Sequence, residues 1–377
     1  MSAPPSVVTP PAVNLADFVA LAQARLDPAV WAYLSGGAGD ELTLADNRAA
    51  WQRLRIAPRV LQPLAGGHTR CGLLGRSLAS PLLLAPVAYQ TLFHPDGECA
   101  TALAAAMQGA GYVLSAQAAT PLETVAALVR DEPGRGPLWF QFSLLADRGA
   151  IRALLHRAEA AGFEALVLTV DAPVHGARDR ERRAGFRLPP GVAAVNLPSP
   201  QQVSAVSAPP AAGSAAPALC AGIAEQAAQW ADLAWLAEAT RLPLLLKGVL
   251  SPADAVQAAE AGVAGLIVSN HGGRTLDGLP ATAEALPRVA EALAARPGPR
   301  PLLLIDGGIR RGTDWFKALA LGADGVLIGR PAVAALAAGG APAVALAIRL
   351  LRDELEIAMV QAGCATLADI GPDRLWR

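Results

Sequence analysis

Short runs of apolar residues alternate along this chain with longer segments whose apolar residues recur at helical spacing. The runs predict eight buried strands, at residues 81–85, 112–114, 138–142, 165–170, 243–246, 265–268, 301–305 and 325–328. Helical periodicity is clearest at 98–108, 150–160, 253–261 and 313–321. Wholly apolar strands that alternate with helices are typical of a parallel sheet covered on both faces. Eight such units, with no GxGxxG sequence at the first, predict a closed (β/α)8 TIM barrel rather than an open doubly wound sheet.

Two segments precede the first strand. Residues 1–13 are rich in Pro, Ser and Ala, and we predict a disordered tail there, which leaves 14–377 as a single barrel domain. Residues 14–75 carry two helical patterns, at 15–26 and 28–34. We expect this part of the chain to cover the bottom or the side of the barrel.

Two further stretches interrupt the repeated pattern. Residues 188–224 contain no charged residue and are dense in Pro, Ala, Ser and Gly. A stretch of this kind after the fourth strand is either a mobile lid over the active face or a flexible insert. Residues 331–348 are apolar, but Gly339 and Gly340 interrupt them, which favours two packed helices with a turn over a membrane span.

Composition narrows the classes of function. The chain has 377 residues, a net charge of -1 and only 17% charged residues, which gives no electrostatic basis for binding nucleic acid. Its four cysteines are scattered without paired spacing, so we expect reduced thiols, no metal site and a cytoplasmic location. The amino-terminal residues lack the basic and apolar regions of a signal peptide. We therefore expect a soluble protein with neither a nucleic acid nor a membrane as partner.

The segment 269–278 directly follows the sixth predicted strand and carries the most informative side chains. His271 can accept a proton, and Arg274, three residues on, can bind an anion. Two glycines between them allow the backbone to approach a ligand closely. A base and an anion-binding group on one turn predict chemistry on a small organic acid, although a capping histidine in an ordinary loop fits this segment alone equally well.

Polar residues and glycines follow nearly every predicted strand. The carboxyl ends of all strands of a barrel meet on one face. We therefore expect that face to carry Pro86, Val87, Ala88, Ser115, Gln141, Thr169, Asp171, Arg178, Lys247, His271, Arg274, Asp306, Gly307, Gly308, Gly329 and Arg330. Any one of them could be a structural turn residue, but their joint occurrence predicts an active site.

The last two units carry the pattern of a phosphate site. Residues 306–312 and 322–330 supply glycine backbone amides together with Arg310 and Arg330. Barrels frequently bind phosphate at these loops, through amides and helix N-termini. Each glycine turn alone could be a tight bend, but the two together favour a phosphorylated ligand.

Lys247 follows an apolar run, which would depress its pKa if the ammonium were unpaired. Such a lysine could form a Schiff base, as in barrel aldolases. It could equally stand as a cation against negative charge that develops on a cofactor. The residues themselves leave both roles open.

Taken together, these residues resemble the FMN-dependent 2-hydroxy acid oxidases and dehydrogenases, which include glycolate oxidase, lactate oxidase and mandelate dehydrogenase. The resemblance runs from about Ala16 to Leu367. It is carried by Ala32-Tyr33, Asp40-Glu41-Leu42-Thr43, Ala45-Asp46-Asn47-Arg48, Ala85-Pro86-Val87-Ala88, His94-Pro95-Asp96-Gly97-Glu98, Thr169-Val170-Asp171, Leu246-Lys247-Gly248 and the segment Ser269–Arg274.

The resemblance implies that the cofactor is FMN. The backbone of Pro86, Val87 and Ala88 would contact the flavin ring, and Ser115, Gln141 and Thr169 would hydrogen-bond to its polar edges. Lys247 would lie by the N1–C2 carbonyl region and stabilise the anionic reduced flavin, which weakens the aldolase alternative. Ser269 would belong to the same cofactor site. The residues that would hold the ribityl phosphate are Asp306, Gly307, Gly308, Arg310, Gly329 and Arg330.

On the substrate side, the resemblance implies that Arg178 and Arg274 bind the carboxylate and that Tyr33 hydrogen-bonds to it. His271 would take the α-hydroxyl proton while a hydride passes to flavin N5, or would take the α-hydrogen itself as a proton in a carbanion route. Asp171 would orient His271 and stabilise its protonated form.

The implied reaction is oxidation of an L-2-hydroxy acid to the 2-oxo acid, with O2 reduced to hydrogen peroxide. The alternatives are a mandelate-type dehydrogenase that uses another electron acceptor, a Schiff-base lyase and a flavin-binding protein without turnover. Ser143 stands where much of the family has a tyrosine, and Gln117 where an aromatic residue is frequent, so the substrate stays open. By analogy with relatives we expect a homo-oligomer, a tetramer.

Overall fold

The computed structural model of the chain describes residues 12–145, 147–197 and 227–376. Most of the predicted tail at 1–13 lies outside these residues, as does the greater part of the predicted lid at 188–224. Among the described residues the strands are β1 Cys71–Leu73, β2 Arg76–Leu78, β3 Leu82–Leu84, β4 Gly111–Ser115, β5 Leu138–Phe142, β6 Ala165–Thr169, β7 Leu244–Val249, β8 Gly265–Val268, β9 Leu302–Ile305 and β10 Gly325–Ile328.

Strands β3 to β10 form a closed barrel in which every neighbouring pair is parallel, and β10 pairs with β3 to close it. The prediction of a TIM barrel is therefore confirmed. Most predicted strand ends are correct to within one residue, but β7 runs on past Lys247 to Val249. Gly248 has a φ of 111° and the register shifts between Lys247 and Val249, so a bulge lies next to the lysine.

The helices among the described residues are α1 Leu15–Arg25, α2 Pro28–Ser35, α3 Leu42–Arg53, α4 Gly97–Met107, α5 Leu122–Val129, α6 Arg148–Ala161, α7 Asp179–Arg183, α8 Asp232–Ala239, α9 Pro252–Glu260, α10 Thr282–Ala295, α11 Gly312–Ala320 and α12 Arg330–Ala362. Short 3-10 turns lie at Gln90–Leu92, Leu367–Asp369 and Pro372–Arg374. Local capping explains several of the helix starts. Asn14 Oδ1 accepts from the backbone N–H of Ala16 at 2.7 Å, and Ser251 caps α9, which begins at a proline.

The strands separate two apolar clusters. In β3, Leu82 and Leu84 pack outward against the helices, whereas Leu83 belongs to a smaller cluster inside the barrel. The β1–β2 hairpin adds Leu73 and Leu78 to this inner cluster. Because the hairpin leads directly into β3, it covers the amino-terminal end of the barrel and leaves the carboxyl-terminal end as the open face.

The amino-terminal helices do not all lie where the sequence analysis placed them. Helix α1 packs on α12 at the side of the barrel, as expected. Helix α2 instead packs against α7, and the loop after it pairs with the segment after β8, where the backbone N–H of Ala38 donates to the Gly273 carbonyl at 2.8 Å. The expectation of bottom or side coverage is therefore wrong for α2, because backbone pairing draws it to the carboxyl-terminal face.

Helix α12 is the one helix of the described chain that is long and apolar enough to cross a membrane, and 67% of its apolar window is buried inside the structure. It is broken at Gly339 and Gly340, whose backbone angles are not helical. The prediction of two packed helices joined by a turn is confirmed.

Candidate functional site

The site lies on the carboxyl-terminal face and is centred on an imidazole–carboxylate pair. His271 follows β8 and Asp171 follows β6, and His271 Nδ1 lies 2.9 Å from Asp171 Oδ1. The His271 side chain is 34% exposed and that of Asp171 only 8%, so the imidazole reaches the open face and the carboxylate stands behind it. His271 has a φ of 56°, a left-handed conformation that costs about 1–2 kcal/mol for a non-glycine residue. Strain of this kind is typical of functional residues.

Burial of Asp171 by itself raises its pKa, but the charge and the hydrogen bond of His271, followed by the charge of Lys247, lower the pKa below its ordinary value. The carboxylate therefore stays ionised beside the imidazole. This is the electrostatic arrangement that stabilises an imidazolium once His271 has accepted a proton.

A buried lysine lies beneath this pair. Lys247 Nζ is 3.0 Å from Asp306 Oδ2 and donates to Ser269 Oγ at 2.8 Å. Burial alone lowers the lysine pKa, but Asp306 and Asp171 outweigh it and raise the pKa above its ordinary value. The prediction of a depressed pKa applied to an unpaired lysine, and it does not hold here because Asp306 pairs with the ammonium and the charge of Asp171 adds to its effect.

Ser269 is fully buried, and its hydroxyl oxygen accepts from Lys247 and from the backbone N–H of His271 at 3.1 Å. The structure therefore leaves Ser269 no exposed surface for the predicted cofactor contact. Its role in this structure is to hold the lysine and the histidine in register.

Two arginines and a tyrosine form a second cluster that includes the end of the His271 loop. Arg274 donates to the Gly36 carbonyl at 2.7 Å, and its guanidinium carbon lies 5.3 Å from the centre of the Tyr33 ring. Burial, followed by the charge of Arg178, lowers the pKa of Arg274 to about 10. Glu181 contacts both guanidinium groups, at 3.4 Å from Arg178 and 3.7 Å from Arg274.

The predicted phosphate side is built around two glycines. Gly307 and Gly308 have φ values of 97° and 77°. A Cβ atom at Gly308 would lie 1.9 Å from the Asn47 carbonyl oxygen, and one at Gly307 would lie 2.6 Å from Thr282 Oγ1. Close packing therefore requires both glycines, Gly308 against α3 and Gly307 against the start of α10, and the Gly307 carbonyl also accepts from Trp51 Nε1 at 2.8 Å.

Two arginines belong to the predicted phosphate side. Arg330 donates to the Leu34 and Gly36 carbonyls, each at 3.1 Å, and Arg310 donates to the Ile309 carbonyl at 2.9 Å. Burial, followed by the charges of Arg274 and Arg310, lowers the pKa of Arg330 well below its ordinary value.

The ends of β3 to β6 form the remaining wall. Pro86, Val87 and Ala88 are half-buried there, and Gly329 lies at the end of β10, where a Cβ atom would be 3.7 Å from Val87. Gln141 Nε2 donates to Thr169 Oγ1 at 2.9 Å.

The Ser115 hydroxyl accepts from the backbone N–H of Gln117 at 3.1 Å, so the backbone of Gln117, one of the two positions that depart from the family pattern, is hydrogen-bonded to a predicted cofactor residue. Ser143, the other departure, is exposed two residues beyond Gln141.

Several residues that shape this site are not among those predicted from the sequence. Glu98 is fully buried and accepts from the backbone N–H groups of Gln90 and Ala119, both at 2.9 Å, so it ties the loop after β3 to the loop after β4. Phe186 stacks on Tyr33 with ring centres 4.4 Å apart. The signal for Glu98 was a lone carboxylate in an alanine-rich helix, whereas nothing local marked Phe186.

These residues fit an anionic ligand with polar edges. Within the described chain, Asp306 Oδ1 and Asp171 Oδ2 are buried without a hydrogen-bond partner. The positive charges of Arg178, Arg274 and Arg310 all lower the pKa of Arg330, whereas the negative charge of Glu41 raises it. Excess positive charge of this kind suits a phosphate on one side and a carboxylate on the other.

The family model described as FMN-dependent dehydrogenase matches residues 22–377. An L-lactate oxidase of Roseobacter sp. (strain GAI101) is 46% identical over 366 residues, which cover 96% of this chain and 94% of that protein. Glycolate oxidase 1 of Oryza sativa subsp. indica is 42% identical over 357 residues, covering 95% and 94%. Among solved structures, mandelate oxidase with (S)-2-phenylpropionate superposes with a TM-score of 0.85 at 38% identity, covering 97% of this chain and 98% of that chain.

Proposed function

Because the chain belongs to the FMN-dependent dehydrogenase family, we propose that it oxidises a small L-2-hydroxy acid to the 2-oxo acid and passes the electrons to O2, which becomes hydrogen peroxide. The cofactor is FMN. The observation that carries the proposal is the pair of His271 and Asp171, 2.9 Å apart, in a site that also holds the buried Lys247 and the guanidinium groups of Arg178 and Arg274.

The substrate carboxylate binds between Arg178 and Arg274. Both guanidinium groups are largely buried, with side chains 15% and 14% exposed, and share a single carboxylate, that of Glu181. A planar guanidinium matches a carboxylate through two parallel hydrogen bonds. Tyr33 lies under Arg274 and adds a hydroxyl donor, whose pKa is raised by burial so that the proton is retained.

His271 takes the proton of the substrate 2-hydroxyl, and Asp171 stabilises the imidazolium that results. FMN supplies the acceptor for the hydride that leaves the 2-carbon. The rival assignment, in which His271 removes the hydrogen of the 2-carbon as a proton, uses the same pair. Deuterium isotope effects of the solvent and of the substrate 2-carbon on anaerobic reduction distinguish the two. In the hydride route the O–H and C–H bonds can break in one step, and the two isotope effects then multiply.

The cofactor is held by the wall and the glycine turns of the carboxyl-terminal face. Pro86, Val87, Ala88, Ser115, Gln141 and Thr169 would hold its ring edges, and Gly307, Gly308, Arg310, Gly329 and Arg330 would hold its phosphate. Asp306 keeps Lys247 protonated, so that the ammonium would supply a fixed positive charge to the bound ring. A lysine held as ammonium by a carboxylate is a poor amine nucleophile, which argues against the Schiff-base lyase.

Two of the relatives named above, an L-lactate oxidase and a glycolate oxidase, support a short aliphatic substrate and O2 as acceptor. Ser143 is exposed where the family pattern has a tyrosine, so space remains for water or a larger substrate. An acceptor-dependent dehydrogenase is the second candidate, and the yield of hydrogen peroxide separates it from an oxidase.

The cytoplasmic location and the homo-tetramer stay predictions. Size-exclusion chromatography of the holoenzyme checks the oligomeric state.

Anaerobic titration of the yellow holoenzyme with glycolate and with the L- and D-enantiomers of lactate and mandelate tests the proposal. We expect bleaching of the flavin by an L-acid and stoichiometric 2-oxo acid. The variant His271→Ala should retain FMN and reduce roughly 10²–10⁴-fold more slowly, whereas His156→Ala on the exposed face of α6 should be unchanged. If no 2-hydroxy acid bleaches the flavin, the chain is a binding protein without this turnover.

A further inference from the structure

His175 lies between Asp171 and Arg178 in the segment that follows β6, and its imidazole faces Arg178. Arg178 Nη2 is 3.3 Å from His175 Nδ1. A guanidinium can only donate hydrogen bonds, so this contact requires Nδ1 to be unprotonated and the ring to be neutral. The geometry therefore selects one tautomer, with the proton on Nε2.

The surroundings keep the ring neutral. Burial, followed by the charges of Arg178, His271 and Arg274, lowers the pKa of His175 to about 4. The carboxylates nearest to these groups are already engaged, because Asp171 pairs with His271 and Glu181 contacts both arginines. The imidazole is thus an acceptor at every pH near neutrality.

The backbone around His175 is fixed against the substrate side of the site. A Cβ atom at Gly176 would lie 2.3 Å from the Arg274 carbonyl oxygen, so only glycine allows this approach. The Ala177 carbonyl accepts from the Gly39 backbone N–H at 2.8 Å. The imidazole is therefore attached to a rigid part of the loop.

Arg178 has a contact on each of its three nitrogens. Nη2 donates to His175, Nη1 to Glu181 Oε2 at 3.4 Å and Nε to the Arg274 carbonyl at 3.5 Å. A guanidinium has five N–H donors, so one hydrogen on each Nη remains. Three contacts define the plane of the group, and the two remaining donors suit a carboxylate.

We propose that His175 is a positioning residue whose unprotonated Nδ1 holds Arg178 in the orientation that binds the carboxylate of the 2-hydroxy acid. This inference rests on the proposed function. His175 does not take part in proton transfer, so its removal should weaken binding of the carboxylate while the reaction rate of the bound substrate is kept.

Two variants separate the acceptor from the volume of the side chain. Asn places an amide oxygen close to the position of Nδ1, whereas Leu fills similar space without an acceptor. For holoenzyme His175→Leu we expect KM to rise roughly 10-fold or more, with kcat within about 2-fold of wild type. For His175→Asn we expect KM within about 3-fold of wild type. The matched control is His156→Asn on α6, which should leave both constants unchanged.

A second readout does not depend on turnover. Calorimetric titration of the holoenzyme with pyruvate, a 2-oxo acid, should give a Kd that follows the same order, weakest for His175→Leu and near wild type for His175→Asn. FMN content and melting temperature show which variants are folded, and His175→Ala takes the place of a Leu variant that fails this check.

An unchanged KM and Kd in His175→Leu would overturn the proposal. So would equal losses in the Leu and Asn variants, because volume rather than the acceptor would then matter. If no 2-hydroxy acid reduces the wild-type flavin but pyruvate binds in the expected order, the proposed function fails and the role of His175 stands. A wild-type holoenzyme that is not reduced and binds no pyruvate overturns both.

Discussion

Lys247 Nζ lies 3.0 Å from Asp306 Oδ2, and this buried pair spans β8, the strand that leads to His271. Lys247 lies within β7 and Asp306 directly follows β9, so the two strands that flank β8 are joined by one charge pair. The pair also sets the protonation state of the lysine, which the local sequence left undetermined.

The first prediction concerns removal of one partner. Lys247→Met leaves the Asp306 carboxylate buried without a counter-charge, which costs about 3–5 kcal/mol in such pairs. We expect the free energy of unfolding to fall by that amount. The rate of anaerobic flavin reduction should fall by a larger factor than the affinity for FMN. Urea unfolding and stopped-flow absorbance measure the two effects.

The double variant Lys247→Met with Asp306→Asn is the control for that cost. It removes both charges, so much of the lost stability should return while reduction stays slow. A double variant that is as unstable as Lys247→Met would show that the unpaired carboxylate is not the cause.

The second prediction concerns the charge behind His271. Asp171→Asn keeps the size of the side chain but removes the negative charge that stabilises an imidazolium. We expect anaerobic reduction by substrate to slow roughly 10²–10⁴-fold. Asp353→Asn, on the exposed face of α12, is the matched control and should reduce at the wild-type rate. Equal rates in Asp171→Asn and wild type would remove this carboxylate from the proton transfer.

The third prediction separates backbone strain from close packing. Gly308 and Gly66 share a φ of 77°, but a Cβ atom at Gly308 would lie 1.9 Å from the Asn47 carbonyl oxygen, whereas nothing lies within 4 Å of one at Gly66. Gly66→Ala should therefore lose only the stability that a left-handed backbone costs a non-glycine residue, about 1–2 kcal/mol. Gly308→Ala should lose more stability than that and should also release FMN. Similar melting temperatures for the two variants would contradict the packing argument.

The fourth prediction concerns acid stability. The pKa of His175 is about 4 in the folded chain against 6.5 for the ordinary side chain. Between these values the unfolded chain binds a proton that the folded chain does not, so stability must fall as pH falls from about 6.5 to about 4. His175→Asn cannot titrate and should show a shallower fall across this window. Denaturant unfolding at several pH values measures the slope, and identical slopes would mean that His175 does not contribute.

Much of this protein could be predicted from the sequence, because the information is local. Apolar runs of strand length, and the helical periodicity between them, are set by residues close together in the chain. The eight-stranded barrel and the order of its units could therefore be predicted. The barrel then implied which residues share a face, since each strand ends there. His271, Asp171 and Lys247 were expected together for this reason, and the structure brings them together.

The remaining features depend on distances between residues far apart in the chain, and tertiary structure decided them. The protonation of Lys247 is set by Asp306, 59 positions later, and burial of Ser269 removed it from the ligand surface. Helix α2 lies at the open face because its following loop pairs with Gly273. The neutral imidazole of His175 depends on Arg178, His271 and Arg274 meeting around it. Electrostatic energy and burial are properties of packed neighbours, and no local pattern of residues contains them.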